Sequence, residues 1–182
     1  MKTKFWLTGI PGVGKTKVMS KILLAIRSQG FTIGGILTRE VKVNGKREGF
    51  DIVDLKTERS ARLAAINQKT GPPVGKYRIS LSALEEIGAR AISAAVSESD
   101  LIVCDEIGPM ELCSPEFKSA IVTAIRSSKP MLGVLHMRLN DPIIREAKNL
   151  PESEVFEVTL DSRDNLDEVV TSRILSLLRG ST

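Results

Sequence analysis

Cysteine is scarce in this chain, two residues among 182, and two cannot staple a disulfide scaffold. Cys104 and Cys113 are not spaced as zinc ligands either, and Cys104 sits in an apolar run that reads as core. No apolar stretch approaches the roughly 20 residues that cross a bilayer. No block of like charge stands out: 26 Lys and Arg against 22 Asp and Glu leave a formal charge of +4. Interspersed charges of that kind suit a phosphate-bearing ligand but fall short of a nucleic-acid footprint, which needs a clustered basic face. Repeats, linkers and low-complexity tracts are missing too. The start, Met1-Lys2-Thr3-Lys4, runs straight into a strand pattern, which leaves no room for a signal peptide and points to a reduced, cytoplasmic setting. What remains is ordinary globular composition, 42% apolar and 26% charged. A length of 182 residues is most economically one domain over 1–182.

The first informative segment is Gly9-Ile10-Pro11-Gly12-Val13-Gly14-Lys15-Thr16, directly after Phe5-Trp6-Leu7-Thr8. It fits the phosphate-loop pattern G-x-x-x-x-G-K-[ST] at every fixed position. Its glycines let successive backbone N–H groups turn inward around a phosphate chain, where a Cβ would clash. Lys15 adds a point charge. Thr16 offers a hydroxyl to a magnesium ion, and the helix starting here aims its partially positive end at the same phosphates.

Periodicity orders the rest. Val18, Met19, Ile22, Leu23 and Ile26 predict a helix over about Lys15–Ser28, stopped near Gln29-Gly30. A β-rich run Phe31–Thr38 precedes Val41-Lys42-Val43, Asn44-Gly45 and Gly49–Leu55, a strong hairpin signal that reads as an insertion after the first crossover unit. Glu58–Ile66 suits a strand or a helical turn equally, and Gly71–Gly75 is loop. Ser80 or Ser82 caps a helix carrying Leu84, Ile87, Ala91, Ile92 and Ala95. Leu101–Cys104 reads as a strand covered on both faces, as does Met131–Leu135 after a helix over Ser114–Ser127. A short helix Asp141–Lys148, a strand Val155–Leu160 and a helix with Leu166, Val169, Val170, Ile174, Leu177 and Leu178 on one face close the chain. The alternation implies an α/β fold: a mainly parallel twisted sheet flanked by helices, with an inserted antiparallel β-hairpin and ligands at the strands' carboxyl ends.

The second chemical unit is Leu101-Ile102-Val103-Cys104-Asp105-Glu106-Ile107-Gly108. An apolar strand ending in Asp105 sets a carboxylate beside the phosphate loop, where it holds magnesium through the ion's water shell. Glu106 is then placed to orient or deprotonate the water that attacks the γ-phosphate. Asp105-Glu106-Ile107-Gly108 also matches the D-x-x-G of switch GTPases, but no guanine-reading N-K-x-D exists. Glu111 could assist Glu106, approach the ribose side or simply start a helix. His136, after the next buried strand, is a candidate γ-phosphate sensor. Arg138 leads, with Arg145, as a positive charge supplied from the same chain; Arg39, Arg47 and Arg78 are weaker candidates. The loop Leu160-Asp161-Ser162-Arg163-Asp164-Asn165 lies where a base would sit, with Arg163 a contact and Asp161 or Ser162 a cap.

With these residues in place, the chain resembles the small nucleoside-triphosphatase family of thermophilic bacteria, archaea and animals, whose human member is the cancer-related nucleoside-triphosphatase. The resemblance rests on Gly9–Thr16, Gly34–Glu40, Gly45–Leu55, Val74–Tyr77 and Asp105–Leu112. It implies a phosphate-loop NTPase fold and magnesium-dependent hydrolysis of nucleoside triphosphates, with broad base tolerance, to diphosphate and phosphate. Phosphate contacts carry over to Gly9–Thr16, the metal-side aspartate to Asp105 and the catalytic glutamate to Glu106. Where the family commonly has lysine this chain has Pro109, so no charge role transfers there. Two alternatives stay open: a kinase whose acceptor pocket is shaped by residues 39–54, and a nucleotide-dependent switch or RNA-associated module. A nucleotide is the expected partner, with no membrane, and nothing demands more than a monomer.

Overall fold

Residues 1–180 are described in this computed structural model. Strand β1 (Lys4–Thr8) and helix α1 (Lys15–Ser28) flank the glycine-rich loop. Strands β2 (Ile33–Val43), β3 (Lys46–Asp54), β4 (Ser60–Ala65), β5 (Pro73–Val74) and β6 (Tyr77–Ile79) follow. Helix α2 (Leu81–Ala83) passes through a π-helical stretch, Leu84–Ala89, into α3 (Arg90–Glu98). The second half runs β7 (Leu101–Ile107), a 3-10 turn Glu111–Cys113, α4 (Pro115–Arg126), β8 (Met131–Leu135), α5 (Pro142–Asn149), β9 (Ser153–Glu157) and α6 (Leu166–Gly180).

All nine strands join one sheet in the order β5-β6-β4-β3-β2-β7-β8-β1-β9. From β2 to β9 every pairing is parallel, and from β2 outward to β5 every pairing is antiparallel. Apolar residues on β1, β7 and β8 are buried on both faces, which parallel strands require because their crossovers lay helices on either side. One face packs Phe5, Leu7, Val103 and Val134 under α1 and α6. The other packs Trp6, Ile102, Cys104 and Leu135 under α3, α4 and α5. Both cysteines are free, Cys104 fully buried among these residues.

The expected hairpin is present, turning at Asn44 (φ 50°) and Gly45 (φ 75°), the left-handed pair that a two-residue connection favours. Its first strand is continuous through Val43 instead of breaking after Thr38, because eight cross-strand partners from β3 hold it extended. The undecided segment 58–66 is strand β4, fixed by its ladder with β3. Ser80 is the cap that starts the following helix, its hydroxyl accepting the Ala83 N–H. The last strand sits two to three residues earlier than its hydrophobicity suggests: Ser153–Glu157 pairs with Lys4–Thr8. Beyond it, reciprocal hydrogen bonds between Thr159 and Ser162 close a turn. On α6 the buried stripe is Val170, Ile174 and Leu178 at four-residue spacing; Val169, one residue off that stripe, is exposed.

Gly35 joins the two halves of the sheet. Its φ of 108° is left-handed, and a Cβ there would run into the Val103 carbonyl of β7. Gly35→Ala is therefore expected to cost about 2 kcal/mol or more of stability, read by urea or thermal unfolding; an unchanged midpoint would refute this close approach.

Candidate active site

The parallel strands bring three carboxyl ends to one edge. β1 ends at Thr8 and feeds the phosphate loop, β7 ends through Asp105 and Glu106, and β8 lies between them and ends one residue before His136. The loop turns on Gly12 (φ 79°) and Gly14 (φ 113°), and Gly14 caps α1 without a side chain. Lys15 Nζ donates to the Gly9 carbonyl at 2.9 Å and to the Ile10 carbonyl at 3.1 Å, so the ammonium lies across its own loop. Pro11, Gly12 and Thr16 are exposed along the rim, and Ile10 is half exposed.

Opposite Lys15 sit three acids with little water. Asp105 is 6% exposed, and its Oδ2 has no hydrogen-bond partner among the described residues. Burial, reinforced by the charge of Glu106 and opposed by Lys15, pushes the Asp105 carboxyl up to about 7. Burial also raises Glu106, against the pull of His136 and Lys15. Glu111 is 3% exposed and is raised to about 8, by burial first and then by Glu106, while the N–H groups of Glu111 and Gly108 oppose the shift. The last two carboxylates converge: a Cβ built on Gly108 would lie 2.6 Å from Glu106 Oε1 and 3.2 Å from Glu111 Oε2. Glu111 also opens the 3-10 turn Glu111–Cys113, whereas the cap of α4 is Ser114, whose hydroxyl accepts the Phe117 N–H at 3.1 Å.

Other candidates separate by position. Leu101, Ile102, Val103 and Cys104 are fully buried and carry the strand, whereas Asp105 through Gly108 form the edge. Arg163 leans on the phosphate loop, with Nη1 3.4 Å from the Val13 carbonyl and Cδ 3.6 Å from where a Gly14 Cβ would stand. Ser162 serves its own turn. Arg138 and Arg145 are exposed beyond β8 with no ion-pair partner within the described residues. Arg47 is tied to Glu40 and stacked 5.5 Å from the Phe50 ring, and Arg78 donates to the Gly71 carbonyl. Arg39 lies two residues past Leu37, the register partner of Asp105. Thr38 escaped notice in the sequence: its hydroxyl donates to the Asp105 carbonyl at 2.8 Å and ties β2 to the site. Only the parallel register discloses that contact.

A glycine loop opening the first helix, with strand-end acids one strand away, defines a phosphate-loop α/β nucleotide-binding protein. The particular family follows from comparison. A family model described as NTPase matches residues 4–171. The nucleoside-triphosphatase THEP1 of Thermofilum pendens is 41% identical over 175 residues, 96% of either chain. The crystal structure of THEP1 from Aquifex aeolicus superposes with a TM-score of 0.82 at 26% identity, covering 94% of this chain and 98% of that one. The solution structure of a human cancer-related nucleoside triphosphatase gives 0.80 at 30% identity, covering 97% and 98%. The chain belongs to this NTPase family.

The raised carboxyls link the site to stability. Folded-state values above those of the unfolded chain mean that the folded protein holds protons the unfolded chain releases. This contribution is complete below about pH 4 and is lost as pH climbs through 7 to 8. Glu111→Gln is expected to flatten that decline and to raise stability at pH 9 by on the order of 1–3 kcal/mol. Urea unfolding at pH 5, 7 and 9 measures it, and a slope equal to that of the parent contradicts it.

Proposed function

We propose that this protein is a magnesium-dependent nucleoside-triphosphatase, a single domain over 1–182 acting as a monomer. It converts nucleoside triphosphates of varied base to diphosphate and phosphate. The observation that carries the reading is the facing of Lys15 and the phosphate loop by Asp105 and Glu106 across one intervening strand. The printed activity of the relatives, nucleoside-triphosphatase, agrees with it. Two free cysteines suit a reducing, cytoplasmic setting.

Backbone N–H groups of Gly9 through Thr16 cradle the phosphates, and Lys15 moves from its loop carbonyls onto the β- and γ-oxygens. Asp105 and Thr16 fit a magnesium ion. The buried Oδ2 of Asp105 lacks any protein partner, and a hard cation bound mainly through water and phosphate needs few protein ligands. When bound, the ion supplies positive charge at the phosphate oxygens. Glu106 accepts a hydrogen bond from the attacking water and aligns its oxygen with the γ-phosphorus. As the new P–O bond forms, the bond to the β-phosphate oxygen breaks, and the water's proton passes towards Glu106 or the phosphate. Arg138, exposed beyond β8 and without an ion-pair partner among the described residues, offsets charge on the departing diphosphate. At the loop 159–165, Arg163 presents a planar cation suited to stack on any base.

Phosphate release should be seen from several ribo- and deoxyribonucleoside triphosphates and should stop when magnesium is chelated. Glu106→Gln is expected to cut turnover by about 100-fold or more while nucleotide still binds; full activity in that variant sinks the mechanism. Arg138→Ala should slow turnover with folding intact. Faster transfer to an added nucleoside or nucleotide than to water would show a kinase instead.

A further inference from the structure

Of the three acids at the end of β7, two have work in the proposed hydrolysis and the third has none. Asp105 and Glu106 face the metal and the water, yet Glu111 is the least exposed of the three, at 3%. Keeping a carboxyl out of water is costly, and the cap that starts α4 is Ser114 and not this residue. The backbone around Glu111 is held firmly. The Leu112 N–H donates to the Gly108 carbonyl at 3.0 Å, the Cys113 N–H to the Met110 carbonyl at 3.3 Å, and the Cys113 thiol to the Pro109 carbonyl at 3.2 Å. Leu112 anchors the same turn in the core that holds Ile107 and Phe117. From there the Glu111 side chain reaches back to the end of β7. The N–H groups of Gly108 and of Glu111 itself approach its carboxyl. A methyl on Gly108 would meet Glu111 Oε2 at 3.2 Å and Glu106 Oε1 at 2.6 Å, so the glycine leaves open the gap in which the two carboxyls converge. The Glu106 carboxyl has no hydrogen bond of its own among the described residues, and Lys15 and His136 act on it through charge alone.

We infer that Glu111 is a positioning residue of the hydrolysis proposed above: a buried carboxyl on the rigid 108–113 turn that donates a hydrogen bond to Glu106 and so aims the other oxygen of Glu106 at the attacking water. Two ionised carboxylates in one dry gap would repel, whereas a pair that shares a proton attracts. Burial supplies that proton: desolvation first, and then the charge of Glu106, pushes Glu111 up to about 8. A general base works only when it is held within reach of its water, and a small loss of alignment is felt in rate. Glu111 acts through Glu106 and on water, so its contribution belongs to turnover and not to the affinity for nucleotide. The arrangement also separates Asp105-Glu106-Ile107-Gly108 from the D-x-x-G of a switch. Here the Gly108 N–H is turned to Glu111, and the turn carries a fixed base in place of a movable γ-phosphate sensor.

The inference rests on the hydrolytic reading, and a cycle of substitutions separates the two. Glu111→Gln keeps an N–H to give to Glu106 and an oxygen for the Gly108 N–H. Glu111→Leu keeps the bulk and offers neither. Magnesium-dependent phosphate release is measured for the parent, both variants, Glu106→Gln and the double variant Glu111→Leu/Glu106→Gln, together with KM, ADP affinity and urea unfolding at pH 7. Glu111→Leu should lower kcat about 10- to 100-fold. Its KM and ADP affinity should be unchanged, and its unfolding midpoint should be no lower than the parent's, because a desolvated acid has been removed. Glu111→Gln should stay within about fivefold of the parent rate. In the Glu106→Gln background the leucine substitution should cost less than about threefold, since its effect passes through Glu106. Should the leucine variant not fold, Glu111→Asp takes its place: it withdraws the carboxyl by one methylene and should lose about 10-fold in kcat at unchanged KM. Equal rates in the leucine and glutamine variants, a leucine or aspartate rate within about threefold of the parent, an undiminished loss in the Glu106→Gln background, or a parallel loss of ADP affinity would each overturn the assignment. Full activity in Glu106→Gln would instead overturn the hydrolytic reading itself.

Discussion

Strand β8 sets the spacing on which the site depends. Inserted in parallel between β1 and β7, it puts two interstrand gaps between the glycine-rich loop and the strand that ends in Asp105 and Glu106. At nearly 5 Å per gap, that leaves room for a phosphoryl group and a water beyond Lys15. The core enforces the arrangement: Leu132 and Val134 on one face and Met131 and Leu135 on the other are all buried, so β8 cannot slip by one residue without inverting both faces. Gly133 completes the fit, because a side chain there would strike the Trp6 ring.

Around this edge the protein keeps charge where folding alone would not. Asp105, Glu106 and Glu111 share a poorly hydrated cluster with Lys15 as its near cation, and burial raises all three carboxyls. Such a site is electrostatically incomplete in the protein alone and is answered by added cationic charge. Strain of this kind is a common companion of catalytic sites, where stability is given up for a reactive arrangement.

The antiparallel extension plays a different part. Residues 39–78 hold ten Lys and Arg against five Asp and Glu, so the basic excess of the whole chain resides there and the α/β core is near neutral. Much of that charge is spent internally, on Glu40, Asp51 and Glu98. The extension is bound to the site mechanically: β2 pairs with β7 through Leu37 and Asp105, and the Thr38 hydroxyl seizes the Asp105 carbonyl. A change in that sheet would be felt at Asp105.

Local chemistry was legible in the sequence because each signal needs only near neighbours. The glycines and Lys15 of the loop, the helix over Lys15–Ser28, the Asn44-Gly45 turn and the buried runs at Leu101 and Met131 all follow from backbone sterics or from periodicity. The paired acids at the end of β7 could likewise be read as a site. Other features depended on residues far apart in the chain. The strand state of Ser60–Ala65, the early end of β9, the burial of Glu111 and the contact of Thr38 with Asp105 are each decided by a partner strand or helix. The same holds for the place of His136, whose backbone N–H donates to the Ile107 carbonyl and whose ring accepts the Leu139 N–H. Sequence alone determined that this chain binds phosphate and carries acids to meet it. Only the tertiary structure decided which acids share one dry cluster, because register and burial are properties of packed pairs and not of single positions.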